Sequence, residues 1–216
     1  MSRLRFDLAR DRDADRPAVQ SVYARLAPFY DLIYGATLEH GRRRAMRQLS
    51  PQPGDSILEV GVGTGLSALL YPRECRVAAI DLSAPMLARA RTRLERHGAT
   101  HVRLCRMDAG RLAFRDAEFD AVYAPYVLNV VPDPIDVARE MRRVCRPNGR
   151  IVLLNHFDFV SASRVDRVVG RVARFVSGVD WHLDLHAFLR EVDLVAVSTE
   201  SVNVPRVSSV VVCRTP

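Results

Sequence analysis

The run Ile57-Leu58-Glu59-Val60-Gly61-Val62-Gly63-Thr64-Gly65 constrains this chain more than any other stretch. An apolar strand stops at a carboxylate and a glycine-dense turn follows. That arrangement seats a nucleotide-like ligand at the C-terminal edge of a parallel sheet. Gly61, Gly63 and Gly65 supply positive φ and close backbone approach where a Cβ would clash. The spacing is G-x-G-x-G, and Leu66 stands where a dinucleotide fingerprint carries its third glycine. The pattern therefore points away from a pyrophosphate cradle.

Short glycine patterns recur by chance, so the neighbourhood has to carry the reading. Cys75 to Ile80 reads as a second strand ending at Asp81. An acid there, about 20 residues past the turn, can accept both hydroxyls of a ribose. A third strand, His101 to Arg106, runs into Met107-Asp108-Ala109, where Asp108 could accept from an adenine amino group. One isolated Asp would read better as a helix N-cap. Three features on successive strand ends favour a ligand at the carboxyl edge of an open sheet.

On these residues the chain resembles the class I S-adenosylmethionine (SAM)-dependent methyltransferases, from about Tyr23 to Phe157 and more loosely beyond. Glu59 to Gly65 is similar to their first motif, Asp81 to their ribose acid and Met107-Asp108-Ala109 to their adenine loop. Asp120 to Ala124 is similar to their fourth strand, and Arg146-Pro147-Asn148-Gly149-Arg150 to the turn before their fifth. Asn148 departs from the glycine usual in that turn, although Asn also tolerates left-handed backbone. The resemblance implies a Rossmann-like α/β fold with a mostly parallel seven-stranded sheet and an antiparallel last strand. It implies SAM as cofactor and S-adenosylhomocysteine as product. Glu59, Gly61, Gly63, Thr64 and Gly65 are expected at the cofactor, with Asp81, Leu82 and Met86 after the second strand, Asp108 and Ala109 after the third, and Tyr23 and Tyr126 from the caps.

The rest of the chain fits one α/β domain of 216 residues, long enough to bury a large core. Residues 1 to 18 are charge-dense. Helices are expected near 19–34 and 37–49, stopped by Pro51 and Pro53, so that residues 1–50 form a helical cap and 51–216 the SAM-binding domain. Helices near 66–71, 84–96 and 134–145 alternate with strands, the fifth of which is Gly149 to His156. Two closing strands, 193–202 and 207–214, joined through Pro205, should pair antiparallel.

Formal net charge is +7, and all 32 basic residues are arginine. Codon bias explains that choice of residue, but the surplus still draws the protein to anionic surfaces. Cys75, Cys105, Cys145 and Cys213 lie far apart without a C-x-x-C, which favours buried reduced thiols over disulfides or zinc. No apolar run approaches a membrane span and the N-terminus lacks a signal-like apolar region. A cytoplasmic monomer, peripheral on the inner face of the cytoplasmic membrane, is expected.

The methyl acceptor has to be read from segments capping the rim. Tyr23 and Tyr30 are seven apart and share a helical face if the helix survives Pro28. They form either a core stripe or groups meeting the cofactor and a polar head. Their segment, ending Tyr30-Asp31, looks like that of methyltransferases acting on quinones and phospholipids. After strand four, Tyr126 and Asn129 could face the acceptor, and the box by which DNA amino-methyltransferases hold a flipped base is missing. His156 at the end of strand five is either a structural hydrogen-bonder or a base. Between Ser163 and Val176 apolar residues at helical spacing oppose Arg164, Arg167, Arg171 and Arg174, as on a surface helix or one lying on an anionic bilayer. His182 and His186, at i, i+4 beside Asp184, resemble part of a metal site, but no third ligand is evident and no metal is expected. A head-group pocket or a cap at Asp184 fits better.

Together these segments resemble the small bacterial phosphatidylethanolamine N-methyltransferases. The resemblance implies successive N-methylation of a phospholipid head group toward phosphatidylcholine. Tyr30, Tyr126 and His156 are the candidate catalytic residues, able to accept or relay the amine proton. Tyr30, Asn129, His156 and His186 are the candidate substrate contacts. The expected partners are the phospholipid and an anionic membrane, met through the N-terminal and 163–176 basic helices. Two alternatives stay open: a quinone carbon or soluble acceptor, and an RNA-binding module. The intact SAM features and the lack of aromatics among the arginines speak against the latter, so no nucleic acid is expected.

Overall fold

The computed structural model describes residues 38–157, 183–203 and 208–215. Residues 38–49 form a helix, α1. The elements that follow are β1 (Ser56–Val60), a 3-10 turn (Ala68–Leu70), β2 (Arg76–Asp81), α2 (Ala84–Arg96), β3 (Val102–Arg106), β4 (Phe119–Pro125), α3 (Pro134–Val144) and β5 (Cys145–Asn155). The chain closes with α4 (Leu185–Glu191), β6 (Val195–Val202) and β7 (Ser208–Arg214).

The sheet order is β3-β2-β1-β4-β5-β7-β6. β1 to β5 pair in parallel, and β7 runs antiparallel to both β5 and β6. This is the seven-stranded sheet with one reversed strand that the sequence implies. Central strands buried on both faces need near-continuous apolar runs, and β1, β4 and β5 supply them. Alternate residues feed opposite cores. Leu58, Val60, Ile80, Val122, Ile151 and Leu153 pack on one side with α3 and α4. Ile57, Val77, Ala79, Tyr123, Val152 and Leu154 pack on the other with α1 and α2.

Caps set the helix starts. Ser83 accepts from Met86 N before Pro85 in α2, and Asp133 accepts from Ile135 N and Asp136 N ahead of Pro134 in α3. Asp184 accepts from His186 N at 2.9 Å and Ala187 N at 3.1 Å, so the expected cap opens α4. Asn148 has φ +59°, the left-handed conformation expected of the Arg146–Arg150 turn, which falls inside β5 because that strand already begins at Cys145. All four cysteines are free thiols, three of them buried.

One element differs from expectation. The helix expected at 66–71 is only the 3-10 turn 68–70, and Tyr71 is already extended at ψ 138°. The next residue is Pro72, whose ring disfavours helical backbone at the residue before it. Of the expected cap, residues 38–49 are described; the segments 19–34 and 163–176 and His182 fall outside the described residues, as do Tyr23 and Tyr30.

Candidate active site

The glycine turn leaves β1 and is fastened to the end of β2. Gly61 N and Val62 N both donate to Ile80 O at 2.9 Å, and Gly63 N donates to Asp81 Oδ2 at 2.8 Å. The other carboxylate oxygen of Asp81 accepts from Ser83 N at 2.8 Å, and its carbonyl accepts from Met107 N at 3.2 Å. Asp81 thus joins the first turn, the start of α2 and the end of β3. Burial raises its pKa, while the amides of Ser83, Gly63 and Leu82 pull the other way. Each oxygen keeps a second lone pair, enough for the two hydroxyls of a ribose.

The three glycines divide the work. A Cβ on Gly61 would lie 2.7 Å from Val127 Cγ2, and one on Gly65 3.1 Å from Ala90 Cβ, so both are needed for packing. Gly63, at φ +54°, has nothing among the described residues within 4 Å of its Cβ position. It is the open floor of the cradle, where ligand and backbone can meet. Leu82 beside it leaves 47% of its surface exposed, an apolar side at the rim for a flat ring. Asp108 is exposed, and its Oδ1 accepts from Gly110 N at 2.9 Å. Ala109 and Met86 pack inward at the same edge. These residues fit SAM: an acid for the ribose, an apolar shelf and a bare glycine turn.

Two of the residues expected at the cofactor are buried. Glu59 has no exposed surface and accepts a short hydrogen bond from Ser67 Oγ. Its other oxygen has no hydrogen-bond partner among the described residues, and burial pushes its pKa up to about 7. Thr64 is buried and accepts at Oγ1 from Arg93 Nη1 at 2.9 Å, which ties the turn to α2.

The residues expected to face the acceptor lie where β4 and β5 end. Tyr126 has φ +56°, a conformation costly for a tyrosine, and its N donates to Leu154 O at 2.6 Å. Its ring lies 5.5 Å from that of His156, and the Arg42 guanidinium stands 5.7 Å from its centroid. Asn129 exchanges two 3.3 Å hydrogen bonds with the backbone of His156, pinning the loop after β4 to the end of β5. Tyr126, Asn129 and His156 are therefore brought together. His186 is exposed on the first turn of α4, and among the described residues no hydrogen bond or ring contact joins it to them.

Sequence reasoning misses Gly41, Arg42, Asn203 and Ser208. Asn203 Nδ2 donates to Tyr126 Oη and to Ser208 Oγ, each at 3.0 Å, and its Oδ1 accepts from Gly41 N at 2.9 Å. Ser208 Oγ lies 3.1 Å from His156 Nδ1. Arg42, Asn203 and Ser208 are buried. They lie far from the glycine motif in sequence, on α1 and the last hairpin, and no local pattern marks them.

A family model described as a methyltransferase domain matches residues 58–153. A phosphatidylethanolamine N-methyltransferase of Cereibacter sphaeroides is 43% identical over 170 residues, covering 77% of this chain and 81% of that protein. A demethylmenaquinone methyltransferase of Mycobacterium marinum is 36% identical over 180 residues, covering 76% of this chain and 74% of that protein. Geranyl diphosphate C-methyltransferase from Streptomyces coelicolor, solved with S-adenosyl-L-homocysteine, superposes with a TM-score of 0.68 at 16% identity, covering 81% of this chain and 75% of that one. At that identity the likeness concerns the fold.

Proposed function

This chain belongs to the SAM-dependent methyltransferases, and on that premise we propose that it methylates the amine of a phosphatidylethanolamine head group, in successive rounds toward phosphatidylcholine. It is an enzyme and SAM is its cofactor. The observation that carries the acceptor is the 43% identity to a phosphatidylethanolamine N-methyltransferase across 81% of that relative.

When bound, SAM supplies a methyl group on a positively charged sulfur, so the protein's part is alignment and exclusion of water. Asp81 takes the ribose hydroxyls, the Gly63 backbone meets the ligand, Leu82 and Met86 flank the adenine, and Asp108 accepts from its amino group. Glu59 and Thr64 hold the turn from beneath. Tyr126 and His156 form the polar wall toward the head group and Asn129 fixes the backbone of His156, while Tyr23 serves the cofactor and Tyr30 and His186 the substrate. Residues 1–50 act as the cap over this rim. The amine has to arrive neutral, and the aromatic faces tolerate the growing methylammonium by cation–π attraction.

The lipid is met at the membrane surface, on the inner face of the cytoplasmic membrane, through the N-terminal and 163–176 basic segments. No helix among the described residues is long and apolar enough to cross a membrane.

The test is incubation of purified protein with methyl-labelled SAM and anionic vesicles containing phosphatidylethanolamine, followed by separation of the lipids. Label in mono-, di- and trimethylated head groups is expected, and none with Asp81→Ala. Absence of lipid label while SAM still binds overturns the acceptor. The match to a demethylmenaquinone methyltransferase favours one second reading, a quinone carbon acceptor, and label entering demethylmenaquinol in the same assay would establish it.

A further inference from the structure

A small cluster of buried polar groups lies where β1 runs into the glycine turn. Glu59, two residues before Gly61, stands opposite Tyr123 across β1 and β4, and both are wholly buried. Tyr71, also buried, reaches them from just past the 3-10 turn. A carboxylate offers about four lone-pair sites, yet Glu59 receives one short hydrogen bond, from Ser67 Oγ. Glu59 Oε2, Tyr71 Oη and Tyr123 Oη have no hydrogen-bond partner among the described residues. So few donors leave a negative charge at this position poorly solvated. A protonated Glu59 has one hydrogen to give instead, and two phenol oxygens near it. Two charged groups also act on it: Arg42 on α1 favours the ionised form and Asp81 at the end of β2 opposes it. Tyr71 and Tyr123 are held neutral by burial and by the Glu59 charge.

We propose that Glu59 is the residue by which this protein tells SAM from S-adenosylhomocysteine. It holds a proton in the ligand-free protein and releases it to solvent when a sulfonium is bound at the turn. It takes a proton back from solvent once the positive charge has left with the methyl group. The two ligands differ by that methyl group and that charge, so hydrogen bonds to the ribose and adenine cannot separate them. A group that gains negative charge on binding can. Opposite unit charges about 8 Å apart, at an effective dielectric constant of about 20, alter an affinity by on the order of tenfold. A permanently ionised Glu59 would attract SAM as well, but it would stay buried and uncompensated after methyl transfer, and a proton removes that cost. Burial lifts the Glu59 pKa to about 7, which sets the exchange near neutral pH. The inference concerns the cofactor and holds for any methyl acceptor.

Infrared difference spectra of the full chain at about pH 6 read the proton directly, through the C=O stretch of a buried carboxylic acid. The band is expected in the wild type, absent in Glu59→Gln, removed by SAM and left in place by S-adenosylhomocysteine. Titration calorimetry in two buffers of different ionisation enthalpy, at the same pH, should show release of part of a proton with SAM and none with S-adenosylhomocysteine. SAM affinity should rise several-fold from about pH 5.5 to 7.5 while that of S-adenosylhomocysteine stays level, because only SAM favours the ionised form. In Glu59→Gln the release and the pH dependence should both vanish. A wild type without the acid band at this pH overturns the proposal, since Glu59 would have no proton to give. Equal proton release with the two ligands also overturns it, because the sulfonium is then not what is sensed. Release that persists in Glu59→Gln assigns the proton to another group, Asp81 first. The wild-type spectra and calorimetry decide even if the variant does not fold. None of these measurements involves the acceptor, so a failure of the phospholipid reading leaves them untouched.

Discussion

Burial makes Glu59 chemically unusual. With its side chain wholly out of water, desolvation lifts its pKa to about 7, against the hydrogen bond of Ser67, the neighbouring Tyr71 hydroxyl and the charge of Arg42, which pull it down. Tyr71, itself buried, has its ionisation pushed well up by desolvation and by the nearby Glu59 charge. An unfolded chain releases the glutamate proton near 4.5. Between those values the native state binds more protons than the unfolded one. The residue's contribution to stability is therefore full below the window, falls as pH rises through it and stays low above. Glu59→Gln removes that titration and keeps the shape. Relative to wild type the variant should gain up to about 3 kcal/mol in unfolding free energy between pH 4.5 and 7.5, measured by urea unfolding at both. A difference that does not move with pH would mean Glu59 is already ionised across this range.

At the scale of elements, α1 seats on the rim because one of its residues lacks a side chain. A Cβ on Gly41 would lie 2.7 Å from Tyr126 Oη and 2.9 Å from Asn203 Oδ1. Gly41→Ala must therefore displace helix, tyrosine or asparagine, at about 1–3 kcal/mol of stability. Lipid methylation should drop sharply while calorimetric SAM affinity holds, since the cradle around Asp81 lies on the other strands. Equal losses in both would place α1 in the cofactor site instead. The outer strand β6 shows a different adaptation. Val195 and Val197 are 71% and 62% exposed on this edge, and the register shift between Ala196 and Ser198 interrupts the ladder a second chain would need.

For the whole molecule, the relevant quantities are sheet order and charge. Order β3-β2-β1-β4-β5-β7-β6 puts the ends of β1, β4 and β5 side by side, so the glycine turn and the Tyr126–His156 cluster share one edge. On the function proposed here, a net charge of +7 carried by arginine would draw this body to anionic lipid. Methylation on anionic vesicles should fall several-fold as salt rises from about 0.05 to 0.5 M, and far less with substrate in neutral detergent micelles. Initial rates in the two settings check this, and equal salt responses would remove the electrostatic contribution.

The sequence by itself determined the strand–glycine-turn unit, the acid at the end of β2, the antiparallel pairing of the two closing strands and the left-handed Asn148. Each of these depends on local pattern: apolar period, glycine where φ is positive, a carboxylate at a fixed offset. It also singled out Tyr126, Asn129 and His156, which the fold brings together, because each stands near the end of a predicted strand. Only the tertiary structure decided that Glu59 and Thr64 lie beneath the cradle, that Pro72 leaves one short 3-10 turn after it, and that Gly41, Asn203 and Ser208 stand behind Tyr126 and His156. Asn203 is 162 residues from Gly41 and 77 from Tyr126. A hydrogen bond across such a separation is specified by how the sheet packs, and no local periodicity encodes it.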